Sequence, residues 1–156
     1  MQQYSPEAMK NITDLNWGIR VERDAAQITV ASVPIFTINV GAVVMLSLIG
    51  TVTVVIPAAA CTIHIDTAPT AGATTALSTL GGSISGFAVG RQFHLAATVA
   101  AHVNSTGGAF PDVCPNWVLP VGTLNLHGET AATTTGLVKW TMVYVPFDEG
   151  AYVTAA

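Results

Sequence analysis

The chain has 156 residues, enough to bury a core within one domain. Only 9% of them are charged, against about 25% in ordinary soluble domains. A surface so poor in charge is weakly solvated unless other protein or lipid covers much of it. The net charge of −4, with no Lys/Arg cluster, excludes the basic footprint that nucleic-acid binding requires.

The charges gather at the front. Residues 1–24 hold Glu7, Lys10, Asp14, Arg20, Glu22, Arg23 and Asp24, and none follows from Ala25 to Ile65. This contrast divides the chain into an N-terminal arm, residues 1–25, and an apolar body, residues 26–156. In "SPEAMKNI" Ser5 can cap a short helix with Pro6 at its first position and Glu7 near the positive end of its dipole. No basic stretch leads into an apolar run here, so no secretory signal is expected. With synthesis in a reducing compartment, Cys61 and Cys114 read as free thiols, and no zinc-type cysteine spacing occurs. Trp17, Arg20 and Arg23 lie in the arm. Trp and Arg are frequent interface anchors, and an arm has little core of its own, so these three are the expected docking residues.

"AQITVASVPIFTINV" predicts a strand to about Val30, a kink at Pro34 and a strand over 35–40. The stretch 41–60, "GAVVMLSLIGTVTVVIPAAA", is long enough and apolar enough to cross a membrane. Its β-branched content, the alternation of "GTVTVVI" and the lack of flanking basic or aromatic anchors favour buried strands, paired and broken near Gly50. No membrane partner is expected. "ACTIHIDTA" alternates His64 and Asp66 against Ile63 and Ile65, a half-exposed strand. "TALSTL" and "GSISGFAVGRQFHLAATVA" suggest strands joined by glycine turns. Residues 102–116 form a long polar loop, and strands follow at 117–119, 122–127 and 136–145. Short strands punctuated by turns indicate an all-β sandwich, jelly roll or small barrel with an extended N-terminal arm.

No enzyme signature occurs. His64 and Asp66 share a strand face, a spacing that orients an imidazole or supplies two metal ligands. No third ligand or nucleophile has a matching motif, so a polar strand face is the reading, and no metal or cofactor is expected. His94, His102 and His127 are scattered in apolar or loop context. Asp148 and Glu149 are adjacent, so on a strand they would face opposite sides, and with Gly150 they read as a turn. There is no GxxxxGK[ST] loop and no GxSxG elbow. Trp117 and Trp140 read as core.

The ending "TTTGLVKWTMVYVPFDEGAYVTAA" resembles that of small structural proteins encoded in tailed-bacteriophage genomes. Thr135, Gly136, Trp140, Tyr144, Pro146, Phe147, Asp148, Gly150, Ala151 and Val153 match its pattern. "PIFTINVGAVVMLSLIGTVTVVI" resembles their common beginning. The chain departs at Phe147, where Leu is the pattern, and at Gly41–Ala42, where a glycine pair is the pattern. The resemblance implies a virion protein, made in the host cytoplasm, that decorates the capsid surface, binds the major capsid protein and assembles as a trimer. On this reading Trp17, Arg20 and Arg23 contact the capsid, while Trp140, Tyr144, Phe147 and Tyr152 pack the core and the oligomer. The rival is a head-fibre or tail module that binds a host surface glycan.

Overall fold

The computed structural model describes residues 18–58, 61–78, 83–94, 103–105, 117–129, 132 and 135–156. They form eleven strands: β1 (Ile19–Ala26), β2 (Val33–Asn39), β3 (Val43–Val54), β4 (Thr62–Pro69), β5 (Thr75–Ala76), β6 (Gln92–His94), β7 (Val103–Ser105), β8 (Trp117–Leu119), β9 (Gly122–Glu129), β10 (Leu137–Pro146) and β11 (Tyr152–Ala155). The described residues contain no helix, and thus none long and apolar enough to cross a membrane. Two antiparallel sheets pack face to face as a β-sandwich, not a closed barrel. The first has the order β1-β10-β3-β6-β7, with β8 on the same edge of β3 as β6. The second has the order β11-β2-β9-β4-β5.

The order has a simple logic. β1 pairs with β10, β2 with β9, β3 with β8 and β4 with β5, all antiparallel. The chain is therefore one long hairpin, its first four strands answered in reverse order by later ones. Winding that hairpin on itself adds the β10–β3 and β9–β4 pairings, which complete the two sheets.

Strand β10 shows why the sequence folds this way. Successive side chains point to opposite faces. Val138, Trp140, Met142 and Tyr144 are buried between the sheets, whereas Lys139, Thr141, Val143 and Val145 line the outer face and stay half-exposed. Opposite it, β3 turns Val43, Met45, Leu48 and Val52 inward. The second sheet contributes Phe36, Ile38, Ile63, Ile65, Leu124, Leu126 and Val153. The Tyr144 hydroxyl spans the sandwich and accepts a 3.1 Å hydrogen bond from the Val153 amide of β11, which satisfies a buried polar group.

Gly50 does not break β3, which runs unbroken through it. It is the register partner of Trp140 on one side and of Phe93 on the other. A Cβ on Gly50 would overlap the Phe93 ring. The missing side chain lets Phe93 lie over the strand and meet Trp140 edge-on, with ring centroids 5.3 Å apart and planes at 73°, an arrangement aromatic pairs favour. Gly122, at φ +150°, has a related role: a Cβ there would strike the Ala68 carbonyl, where β9 starts against the end of β4.

The arm boundary at residue 25 needs correction. Residues from Ile19 belong to the body as β1, an edge strand whose Val21 packs against the core beside Met142. Its charges mark an edge strand with an exposed face, a common means of blunting sheet edges. Residues 1–17, with Trp17 and the helix expected after Ser5, lie outside the described residues. So do Cys114, His102 and most of the expected 102–116 loop. Cys61 is a free, fully buried thiol, and burial pushes its pKa above the ordinary thiol value.

Trp140→Ala should lower the unfolding free energy by about 3–5 kcal/mol in urea titration, because it removes a fully buried ring that packs against Phe93 between the sheets. A loss under about 1 kcal/mol would contradict the placement of β10.

Candidate functional site

Three surface features carry chemistry or contact potential. The first is the outer face of the first sheet at its β1 edge. Arg20 and Glu22 pair across this face, and Lys139 Nζ lies 2.7 Å from the other Glu22 oxygen. The Lys139 hydrogen bond, against an opposing desolvation and helped by Arg20, holds the Glu22 carboxyl below its usual value of 4.5. These three line one side of a shallow groove of about 450 Å³, with Ile49, Thr51 and Gln92 on the other side. Arg23 points the opposite way. Its Nε donates to the backbone oxygen of Ala156 at 3.1 Å, tying β1 to the end of the chain. Arg20 and Arg23, three residues apart on β1, therefore face opposite sides of the strand.

The second feature is an apolar end. Pro146 makes the last pairing of β10, with Val43, and the chain then turns. The amides of Phe147 and Asp148 both donate to the Ala42 carbonyl, at 3.0 and 3.1 Å. Asp148 Oδ2 accepts from the Ala42 amide at 2.7 Å. Gly41 makes this staple possible: a Cβ there would lie 2.5 Å from Asp148 Cβ. Val40, in the same turn, has φ of 68°, a strained conformation for a β-branched residue. Val40 is 71% exposed and Phe147 64%. Phe147 and Tyr152, expected to pack the core and the oligomer, are thus exposed in the single chain. Phe147 falls in the turn that Pro146 opens, and Tyr152 faces outward on edge strand β11, 46% exposed. Trp140 and Tyr144 do lie in the core.

The third feature is polar and lies on the outer face of the second sheet. β4 and β9 pair so that Thr62 faces Glu129, His64 faces His127 and Asp66 faces Asn125. The two imidazoles stack, with centroids 4.3 Å apart and planes at 14°. Asp66 is buried despite facing outward. Its Oδ1 accepts from Asn125 Nδ2 at 3.0 Å, and its Oδ2 lies against His127 Nε2. His64 Nδ1 is 3.6 Å from Glu129 Oε1, too far for a hydrogen bond. The third member that His64 and Asp66 lacked in the sequence is His127. It comes from a distant strand, and the only local sign of it is the alternation of "LNLHGE".

Trp117 is half-buried beside a groove of about 380 Å³ between the β5 and β8 edges, shared with Thr67, Pro69 and Thr75. His94 is buried. Comparison with protein-family models, with curated proteins and with solved structures finds no match to this chain.

Glu22→Gln tests the edge electrostatics. A carboxyl whose folded pKa is depressed stabilises the fold above its unfolded pKa, and that contribution is lost as pH falls through the folded value. The wild type should therefore exceed Glu22→Gln in urea midpoint near neutral pH, with the gap closing as acidification protonates the Glu22 carboxyl and shrinking in high salt. A gap independent of pH and salt would contradict the pairing.

Proposed function

We propose that this chain is a capsid decoration protein of a tailed bacteriophage, a non-catalytic protein that binds the outside of the major capsid shell as a trimer and stabilises it. The observation that carries this reading is the apolar character of both ends of the sandwich. Val40 and Phe147 are exposed at one end. Val54, Val55 and Val89 are exposed at the other, where Gly90 bonds back to Val52. Exposed apolar groups on a chain with 9% charge suit a protein whose surface is covered in an assembly.

Two further points support the reading. The wound hairpin has the strand order of a jelly roll, an architecture that viral capsid and lectin domains share. The two stretches that resemble phage structural proteins pack on each other, β3 against β10 and the Gly41 turn against Asp148. A shared pattern at those positions is thus one structural unit. Fold alone does not fix function, and the Trp117 groove favours a second reading. An aromatic face beside the Thr67 and Thr75 hydroxyls suits a sugar, as a head-fibre or tail module binding a host surface glycan would require.

Light scattering on the purified chain should give a trimer at micromolar concentration. The chain should co-sediment saturably with shells of the major capsid protein of the same phage. Phe147→Asp should weaken trimer or shell binding at least about 10-fold while leaving stability within roughly 0.5 kcal/mol, as exposed substitutions do. A folded monomer that ignores shells and instead retains a glycan on an array would favour the second reading.

A further inference from the structure

We infer that the outer face of the second sheet holds a site for a divalent transition-metal cation, zinc foremost, built from His64, Asp66 and His127. One donor atom from each of these residues lies within 4.8 Å of the other two. Zinc takes nitrogen and oxygen donors about 2.0–2.2 Å away in a tetrahedral set, so the three are near enough to share one ion once the stacked imidazoles turn their nitrogens toward it.

The register supplies the geometry. His64 and His127 are directly opposed on antiparallel strands, and Asp66 is the next residue of β4 on the same face. Both strands lie inside the sheet, flanked by β2 and β5, so the donors stand on a rigid base. Asn125 occupies Asp66 Oδ1, which leaves Oδ2 turned toward the imidazoles. This is the outer-shell arrangement that orients ligating carboxylates.

The hydrogen-bond accounting points to a ligand. Asp66 is only 5% exposed, and a buried carboxylate needs partners. His64 Nδ1 and His127 Nε2 are buried nitrogens without a hydrogen bond of acceptable geometry, although His127 Nε2 sits against Asp66. A protonated His127 paired with Asp66 would satisfy those two groups. It would leave His64 Nδ1 without a hydrogen bond among the described residues, with Glu129 Oε1 3.6 Å away. A cation engages both imidazoles and the carboxylate at once. Two imidazoles and one carboxylate suit Zn²⁺, Co²⁺, Ni²⁺ or Cu²⁺ rather than Mg²⁺ or Ca²⁺, which prefer all-oxygen sets. Both histidines retain some exposure, with side chains 20% and 24% accessible, so an ion can enter from solvent. Water completes the fourth position. The bound ion clasps β4 to β9, the two strands that close the wound hairpin within the second sheet.

The test is calorimetric titration of the full chain, stripped with chelator, with ZnCl₂. One Zn²⁺ per chain should bind saturably, and more weakly as pH falls, because imidazoles ligate only when deprotonated. At a free concentration about 100 times Kd, Tm should rise by roughly 5–10 °C. His64→Gln, His127→Gln and Asp66→Asn should each weaken binding at least about 10-fold, and Asn125→Ala should do so through Asp66 by about 10–100-fold. Co²⁺ bound to the unaltered chain gives a readout independent of mutant folding. Its visible bands should be those of a tetrahedral nitrogen and oxygen set without thiolate charge transfer. The proposal is overturned by absence of saturable Zn²⁺ binding up to about 1 mM, by a folded His64→Gln/His127→Gln double variant that binds as the wild type does, or by a thiolate spectrum.

Discussion

The fold depends on the contact of β10 with β3. These are the two longest strands, and each commits a single face to the core. Gly50, the register partner of Trp140, leaves room for the Phe93 ring, which lies over it and meets Trp140 edge-on. Tyr144 then carries the constraint across the sandwich to β11 through the Val153 amide. With these fixed, β1 can pair only on the far side of β10, and β6 and β8 only on the far side of β3.

The same economy shapes the surface. Each strand buries one set of alternate residues. In a chain with so few charges the other set is largely threonine and valine, as on β10. Among the described residues the arginine and lysine ion pairs lie at the β1 edge, where unpaired backbone groups would otherwise invite another strand. The turns at one end are stapled through Asp148 and Ala42, which holds Val40 and Phe147 in the open. A tightly braced sandwich with exposed apolar turns suits the proposed role on a capsid shell, where rigidity and contact area matter more than a reactive centre. The polar face of the second sheet lies apart from those ends, so a metal there would brace the fold without competing for them.

Much of the architecture was legible in the sequence because it is written locally. Period-two alternation and Gly/Pro punctuation placed the strands at 117–119, 122–127 and 136–145 close to β8, β9 and β10. They also favoured strand over membrane helix for 41–60. The errors arose where a residue's role is set by a distant neighbour. Gly50 reads as a breaker until Phe93 is known to lie over it. Arg20, Glu22 and Arg23 read as part of a charged docking arm because the exposed face of an edge strand has the same composition. Phe147 and Tyr152 read with Trp140 and Tyr144 as core and oligomer packing, and in the single chain only the latter two are buried, because Phe147 falls in a turn and Tyr152 on the outward side of an edge strand. His127 was invisible as a partner of His64 and Asp66 because only the β4–β9 register joins them.

The central claim is that this chain sits on the outside of a phage head. Imaging the intact particle by electron cryo-microscopy tests it most directly. The account predicts a β-sandwich density on the outer shell where capsomers meet, with Phe147 or Val40 turned toward neighbouring protein. Density for the chain only in the tail or in a fibre, or none on the particle at all, would contradict it.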